Sequence, residues 1–521
     1  MSYLKLRTFS ALLALTVSAP LLGGCALFAV PTDSSVPNGP TEITIKAGTR
    51  ESTDASESAA PDASEATAAK TPEEKTVTDT DYVRLMDDVK PEMMNPGFWI
   101  KDTDHSVLMS PEEIEQFNKT NRKEIKASDK KTAFPLLDEF SDKLDGKILK
   151  TFLKDNEKSV PVNPAKYYLN GKPTTASYWK DLVSRSNIDA VPKTINVKFG
   201  FTTKRMTSRL FPTEDRVFED KSDKLFDSLI FSECMPYVPV VVLHESKDGD
   251  YLYCVFDSFA AWVRKDAVAL CKDKNDWLSR QSADKWLVVT GREIRLGNDP
   301  YSSLTSNLVL PMGTKMELVP ASKAPETVSQ RTTYCDYIVK VPARGNDGYI
   351  KDCYVLIPCS DDVNAGFLPL TSENVIRLLF KRLGDRYGWA GDLKANDCTG
   401  ITREIYKCFG VLLPRTGQSD CKGVYKVDMS KMSSDKKLEV ISNLAPGSLI
   451  SFPGHMTIYL GTVDGRPYVI SAVGTFVAPA PAAKTVLHPR SVVLSSLYVR
   501  TSKNKTWLDI STTALTLKAE E

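Results

Sequence analysis

Residues 387–415 read YGWAGDLKANDCTGITREIYKCFGVLLPR and place one cysteine, Cys398, directly in front of a helical pattern. Ile401 and Ile405 recur at helical spacing after it, and Gly410 is a typical helix end. The positive end of a helix dipole favours a thiolate over a thiol in the first turn. The local pattern therefore makes Cys398 a candidate nucleophile.

A thiol nucleophile needs a base, and in Cys–His enzymes that base comes from a distant part of the chain. The sequence has only four histidines. His455 opens a strand-like run, HMTIYLG, in the same C-terminal region as Cys398. The other three fit less well, because they lie in a helical N-terminal part, in a β-rich part and beside a proline in a loop: His105, His244 and His488. We therefore expect His455 to be the base, although an isolated histidine is more often structural.

The other cysteines compete with Cys398 for this role. Cys408 lies within the helical pattern on its apolar face, and no helix start follows Cys421. Cys254 and Cys353 lie in strand-like apolar runs, where a buried thiol is the expected reading. Nine cysteines remain when Cys25 is set aside, so some can pair in an exported protein and at least one stays free.

The N-terminal sequence, MSYLKLRTFSALLALTVSAPLLGGC, has the layout of an export signal. Two basic residues precede a mostly apolar run over 9–22 that is too short for an ordinary transmembrane helix. The motif LLGGC resembles a bacterial lipobox, so residues 1–25 are predicted to be a lipoprotein signal with lipidation at Cys25. The alternative is a plain secretory signal. Acyl chains on Cys25 would hold the protein at a membrane without a spanning helix.

Residues 26–80 are rich in Ser, Thr, Ala, Pro, Asp and Glu and almost lack aromatics. Such a segment cannot bury enough apolar surface to offset its ordering entropy, so we predict a disordered tether. The expected location is the cell envelope, with the protein lipid-anchored and exposed to the periplasm. Ala26 after the lipobox cysteine is not a recognised retention signal, which favours the outer membrane.

The overall composition argues against several classes of function. A formal net charge of +1 gives no electrostatic case for nucleic-acid binding. The scarcity of histidine argues against a His-rich metal site, and no phosphate-binding glycine loop is present. We expect no metal, no other cofactor and a monomeric protein.

About 440 residues remain after the tether, enough for three or four domains. Residues 81–165 look helical: Ser110 and Glu113 have the spacing of a capping box. A second helical pattern follows at Leu136, Leu137, Phe140 and Leu144.

The rest of the chain divides into two β-rich parts and a mixed part. Residues 166–275 contain short strand-like runs, and Lys247-Asp248-Gly249-Asp250 is a strong hairpin signal. Residues 276–365 form a second β-rich part, and both parts have the pattern of small barrels. Residues 366–521 combine helical and strand-like segments, which predicts an α+β domain.

The motifs YGWAG, NDCTG, LPR and LAPGSLISFPGHMTIYLG, in this order, resemble the NlpC-type cell-wall peptidases, which are papain-like cysteine enzymes. The resemblance runs over residues 373–510. The upstream sequence is similar to the multidomain branch of that family, with a helical N-terminal segment, two bacterial SH3-like β-barrels and the catalytic domain. TSRLFPTED and VPVVVLHESKDGDYLYC resemble its first barrel, and WLVVTG with LPMGTKM resembles its second.

The resemblance implies hydrolysis of peptidoglycan stem peptides, commonly after γ-D-glutamate and before the diamino acid. Cys398 would form an acyl-enzyme with His455 as its base. The residues implied to bind substrate are Tyr387, Trp389, Asp397 and Thr399. Each has a structural alternative, since the two aromatics can be core residues and Asp397 can be only the helix N-cap. Arg415 is expected to be structural.

The sequence departs from the family pattern at one catalytic position. Where the family usually has a second histidine, the phrase here is Ile470-Ser471-Ala472. Ser471 can accept the orienting role, but it supplies less basicity than an imidazole or carboxylate. Two readings stay open: an active enzyme with a weakened triad, or an inactive relative that binds wall peptides or partners. An acyltransferase on the same fold is a third.

Overall fold

The computed structural model describes residues 83–480 and 484–518. The predicted signal over 1–25, with Cys25, and the predicted tether over 26–80 lie outside the described residues. Within the part that the structure describes, no helix combines the length and the apolar character needed to cross a membrane.

The C-terminal region forms one antiparallel sheet with helices packed against it. Six strands follow one another across this sheet in the order Lys426–Asp428, Thr513–Leu515, Leu449–Phe452, His455–Val463, Arg466–Val473 and Ser491–Ser496. The region also contains the helices Ser372–Phe380, Cys398–Lys407, Ser434–Ser442 and Trp507–Ile510, the 3-10 turns Trp389–Lys394 and Gln418–Asp420, and the strand pair Phe476–Val477 and Val486–Leu487. Apolar faces of the first two helices and of the sheet share one core, which fixes the helix starts relative to the central strands.

A larger antiparallel sheet precedes it in the chain and includes the predicted hairpin. Its seven described strands lie in the order Ile230–Cys234, Met206–Arg209, Ala260–Arg264, Tyr251–Val255, Pro239–Glu245, Lys198–Thr202 and Val268–Leu270. We call it the first sheet. The hairpin prediction is confirmed, because the turn at 247–250 joins two paired strands and Gly249 has a φ of 78°. The same region contains the helices Ala176–Arg185 and Lys274–Ser279, the 3-10 turns Ile188–Ala190 and Lys265–Ala267, and the short strands Tyr168–Leu169, Lys172–Pro173 and Val217–Phe218.

A five-stranded antiparallel sheet, the second sheet, lies between these two in sequence. The order of its described strands is Ile350–Pro358, Asp336–Arg344, Lys315–Leu318, Trp286–Val289 and Val363–Ala365. Two smaller strand pairs and a 3-10 turn accompany it: Glu293–Arg295 with Val309–Pro311, Thr327–Val328 with Arg331–Thr332, and Ala321–Lys323. Its long hairpin reaches the first sheet, where Leu270 N donates to Gly348 O over 2.9 Å.

The N-terminal segment mixes helices with short strands. The helices are Pro96–Ile100, Pro111–Asn121 and Gly146–Glu157, with 3-10 turns at Pro91–Met94 and Pro164–Lys166. The strands are Val107–Met109, Ile125–Lys126, Ala133–Phe134 and Lys143–Asp145, with Thr194–Asn196 pairing to the last of them and Leu370–Thr371 to the first. The capping box at Ser110 and Glu113 is confirmed. The predicted helix over Leu136, Leu137, Phe140 and Leu144 is wrong, since no helix spans them.

Packing explains both the missing helix and the mixed character of this segment. Leu144 lies in a strand opposite Ile195, and Phe134 stacks on Phe152 with ring centroids 3.9 Å apart. Strands and the helix Gly146–Glu157 therefore bury the apolar residues of this stretch, and no helix over 136–144 is needed to do so. These residues join the core of the first sheet. The earlier part of the segment joins the C-terminal core instead, where the Trp99 ring lies 5.6 Å from Tyr468. The segment thus contributes to two cores.

Candidate active site

Cys398 is the first residue of the helix Cys398–Lys407 and is partly buried. The side chain of Asp397 caps this helix by accepting a hydrogen bond from Gly400 N over 2.7 Å. The backbone N–H groups of Thr399 and Met456 lower the pKa of the Cys398 thiol, although burial has the larger, opposite effect. Met456 follows His455 directly, so Cys398 lies near the start of the strand His455–Val463.

The imidazole of His455 is held by one hydrogen bond and two aromatic rings. His455 Nε2 lies 3.1 Å from Ser471 Oγ, and Ser471 is buried on the neighbouring strand Arg466–Val473. The ring centroids of Phe452 and Trp507 lie 5.2 Å and 5.0 Å from that of His455. Nε2 is thus engaged by Ser471, and Nδ1 has no hydrogen-bond partner among the described residues.

Burial favours the neutral thiol of Cys398 and the neutral imidazole of His455. Burial raises the pKa of the Cys398 thiol to about 12, and the negative charge of Asp397 raises it further. Burial lowers the pKa of His455 to about 4, partly offset by the attraction of Asp397. At neutral pH the site therefore holds a thiol and a neutral imidazole rather than a thiolate and an imidazolium.

Asp397 is fully engaged in structural contacts. Its carboxylate also accepts hydrogen bonds from Ala390 N at 3.1 Å, Thr399 Oγ1 at 3.2 Å and Arg415 Nη2 at 2.6 Å. Arg415 also donates to Thr399 Oγ1. The buried guanidinium helps hold the pKa of Asp397 below its usual range against the opposing effect of burial. Arg415 thus has the structural role expected of it. Asp397 is the N-cap of the helix, which was the structural alternative for this residue.

Tyr387 lies close to Cys398, and both Tyr387 and Trp389 contact Phe226, which comes from an earlier part of the chain. Burial, with the nearby charges of Asp397 and Cys398, raises the pKa of Tyr387 well above its ordinary value. The ring of Phe226 lies 6.0 Å from the rings of both Tyr387 and Trp389. Of the seven residues predicted for the site, Asp397, Cys398 and Thr399 lie together at one helix start, and His455 contacts Ser471. Tyr387 and Trp389 share the contact with Phe226.

Two family models match the chain. Residues 216–264 match the model of an SH3 domain of the SH3b1 type, and residues 384–493 match that of the NlpC/P60 family. The matched range contains Cys398, His455 and Ser471, and the SH3 match covers the part of the chain that includes Phe226.

Two solved structures are similar to the chain, and the first of them shows its fold. An NlpC/P60 endopeptidase from Photobacterium damselae subsp. piscicida aligns with a TM-score of 0.62 at 14% identity, covering 82% of this chain and 97% of that one. An NlpC/P60 family protein from Bacillus cereus ATCC 10987 aligns with a TM-score of 0.41 at 17% identity, covering 61% of this chain and 98% of its own. No curated protein sequence matches the chain at a significant level.

The sequence did not predict the contact between Arg205, which directly precedes a strand of the first sheet, and the segment in front of Asp397. Arg205 Nη2 donates to Asn396 Oδ1 over 2.7 Å and to Ala395 O over 3.1 Å, directly upstream of the Asp397 cap. Arg205 also pairs with Glu233. No local motif marks these residues, because Arg205 and Asn396 are 191 positions apart in the sequence.

Proposed function

We propose that the chain is a peptidoglycan stem-peptide hydrolase, a cysteine peptidase that cleaves between γ-D-glutamate and the diamino acid. The observation that carries the proposal is the 3.1 Å contact between His455 Nε2 and Ser471 Oγ, beside a cysteine at a helix start. This contact orients the ring and leaves Nδ1 for the thiol proton. The NlpC/P60 match supports the class of enzyme.

The proposed reaction starts from the neutral pair. Cys398 Sγ attacks the scissile carbonyl while its proton passes to His455 Nδ1, and the backbone N–H of Cys398 donates to the oxyanion. Tyr387, buried beside the sulfur, helps to hold that oxyanion. His455 then protonates the leaving amine, and an acyl-enzyme remains on Cys398. Water, activated by His455, hydrolyses the thioester and restores both residues.

Ser471 takes the orienting role that a second histidine has in the family. Its hydroxyl carries no charge, so it stabilises the imidazolium less than a carboxylate would. The transition state therefore depends more on the helix start and on the N–H groups near the sulfur. We infer an active enzyme with modest turnover.

The rest of the chain supports a role at the cell wall. We propose that the first and second sheets are the two SH3-like barrels of the multidomain branch, and the SH3 match over residues 216–264 supports the first of them. Phe226, within that match, contacts Tyr387 and Trp389. We propose that Cys25 is lipidated and that the tether over 26–80 extends the folded part into the periplasm, from the outer membrane. Stem peptides would then be the partner that the site meets.

A second candidate function is wall-peptide binding without cleavage. The observation in its favour is the low pKa of His455, about 4, which makes the imidazolium costly to form beside an uncharged Ser471. In this case the residues around Trp389 would hold the peptide and release it intact. The two candidates differ only in the fate of bound substrate.

Defined stem peptides with free amino ends test both candidates. Wild-type protein and Cys398→Ala are incubated with each peptide, and products are identified by mass. We expect cleavage before the diamino acid by the wild type and none by Cys398→Ala. Cys353→Ala is the matched control, because Cys353 is a half-buried cysteine of the second sheet and its loss should leave cleavage intact. Intact peptides that nevertheless bind the wild type would establish the second candidate and refute the first.

A further inference from the structure

Two cysteines lie at the open end of the long hairpin of the second sheet. The strands Asp336–Arg344 and Ile350–Pro358 pair without a register shift, and their outermost partners are Asp336 and Pro358. Cys335 directly precedes the first of these strands, and Cys359 directly follows the second. Cys359 N donates to Cys335 O over 3.3 Å, which holds the two backbones side by side, although Cys335 leaves the extended conformation with a φ of 59°.

Their backbones lie at disulfide distance. Directly opposite residues of an antiparallel pair have Cα atoms about 4.5–5.5 Å apart. The Cα atoms of cysteines in disulfides are about 4.4–6.8 Å apart. A bond between the two sulfurs therefore needs rotation of the side chains and a local adjustment at Cys335, whose φ is 59°, rather than separation of the strands.

These two thiols differ from the others in their access to solvent. Both are free and exposed, whereas the remaining cysteines of the described residues are buried or half-buried: Cys234, Cys254, Cys271, Cys353, Cys398, Cys408 and Cys421. An oxidant outside the cell would meet Cys335 and Cys359 first, because exchange requires access of a disulfide to the sulfur.

We propose that Cys335 and Cys359 form a disulfide that closes the open end of this hairpin in the exported protein. A thiolate of one cysteine attacks the disulfide of an oxidised dithiol protein, which forms a mixed disulfide and releases one partner thiolate. The thiolate of the second cysteine attacks the first cysteine's sulfur, forms the Cys335–Cys359 bond and releases the other partner thiolate. The partner takes up two electrons and the two protons that the cysteines lose, and it leaves as a dithiol.

The bond has two consequences for the molecule. It fastens the hairpin whose opposite end contacts the first sheet, where Arg344 Nη1 donates to Val268 O over 2.6 Å. It also removes the two exposed thiols at which a disulfide to another copy could form. Of the nine described cysteines it leaves seven, an odd number, so at least one of them stays unpaired. The proposal goes beyond the proposed function and uses only the predicted export, which supplies the oxidant.

Thiol trapping in the full chain tests the proposal without any reading of peptidase activity. Cells producing the exported Cys398→Ala chain are lysed in N-ethylmaleimide, and the protein is unfolded in it and digested without reduction. We expect a linked peptide pair that joins Cys335 to Cys359 and disappears on reduction, while Cys353 carries maleimide. Maleimide on both Cys335 and Cys359, or a link from either to another cysteine, would overturn the proposal.

A second measurement tests the geometry outside the cell. Reduced, purified chain is equilibrated with oxidised glutathione, and the adducts and the thermal unfolding are recorded. We expect the internal link rather than glutathione on each thiol, and a higher Tm for the oxidised than for the reduced chain. Cys335→Ser should carry glutathione on Cys359 and show no rise in Tm. Two separate glutathione adducts on the unsubstituted chain would contradict the proposal.

Discussion

The contact between His455 and Ser471 is the residue-scale feature on which the proposed activity depends. A hydrogen bond at Nε2 selects the ring orientation that turns Nδ1 towards the thiol. The aromatic rings of Phe452 and Trp507 restrict the imidazole but cannot select a tautomer. In the proposed mechanism Ser471 therefore positions His455, the base, and does not itself touch the substrate.

Ser471→Ala should lower kcat by about 2- to 10-fold and leave KM nearly unchanged. The loss corresponds to one hydrogen bond of about 0.5–1.5 kcal/mol. Steady-state kinetics on a stem-peptide amide measure it. Ser495→Ala is the matched control, since Ser495 is buried on the adjacent strand and its hydroxyl has no partner among the described residues. Equal losses in the two variants would assign Ser471 a packing role only.

The pH dependence of kcat/KM should show an acid limb far below the ordinary range of histidine. The pKa of His455 is about 4 because of its burial, so the base form dominates above that pH. Activity should be nearly constant between about pH 5.5 and 8 and fall as pH approaches 4. The assay needs parallel unfolding curves at each pH, which separate protonation from loss of fold. A limb centred near 6.5 would contradict this prediction.

At the scale of the element, the N-terminus of the Cys398 helix joins a cap to a buried ion pair. Asp397→Ala should destabilise the C-terminal region by about 3–5 kcal/mol. The reason is that the buried guanidinium of Arg415 loses its carboxylate partner. Denaturant unfolding measures the change. Asp145→Ala removes an exposed N-cap that has no ion pair among the described residues, and should cost only about 0.5–2 kcal/mol. Similar losses would mean that capping alone accounts for Asp397.

Local patterns predicted this element better than its surroundings. The helix after Cys398 and the strand after His455 follow from apolar spacing and from flanking Asp397 and Gly454, which act within one turn of the chain. The same spacing misled at Leu136–Leu144, because burial there comes from strands and from Phe152. The position of Phe226 over the site depends on packing between distant segments, which no local pattern encodes.

At the scale of the whole molecule, a buried charge network connects the first sheet to the nucleophile helix. The side chains of Arg205, Glu233 and Glu404 are at most 9% exposed, and Arg205 pairs with both carboxylates. Arg382, which belongs to the C-terminal region as Glu404 does, pairs with Glu404 over 2.5 Å. Removing one partner of such a network leaves an uncompensated charge, so docking of the first sheet is coupled to the helix that carries Cys398.

This network predicts how stability changes with pH. Burial and the adjacent Glu404 raise the pKa of Glu233, so the folded state holds a proton that the unfolded state releases above about 4.5. The wild type should therefore lose stability as pH rises from that value through the raised pKa. Glu233→Gln removes this slope, and its free energy of unfolding relative to the wild type should increase from pH 5 to 8. Exposed Glu439→Gln should instead parallel the wild type, and parallel curves for Glu233→Gln would refute the coupling.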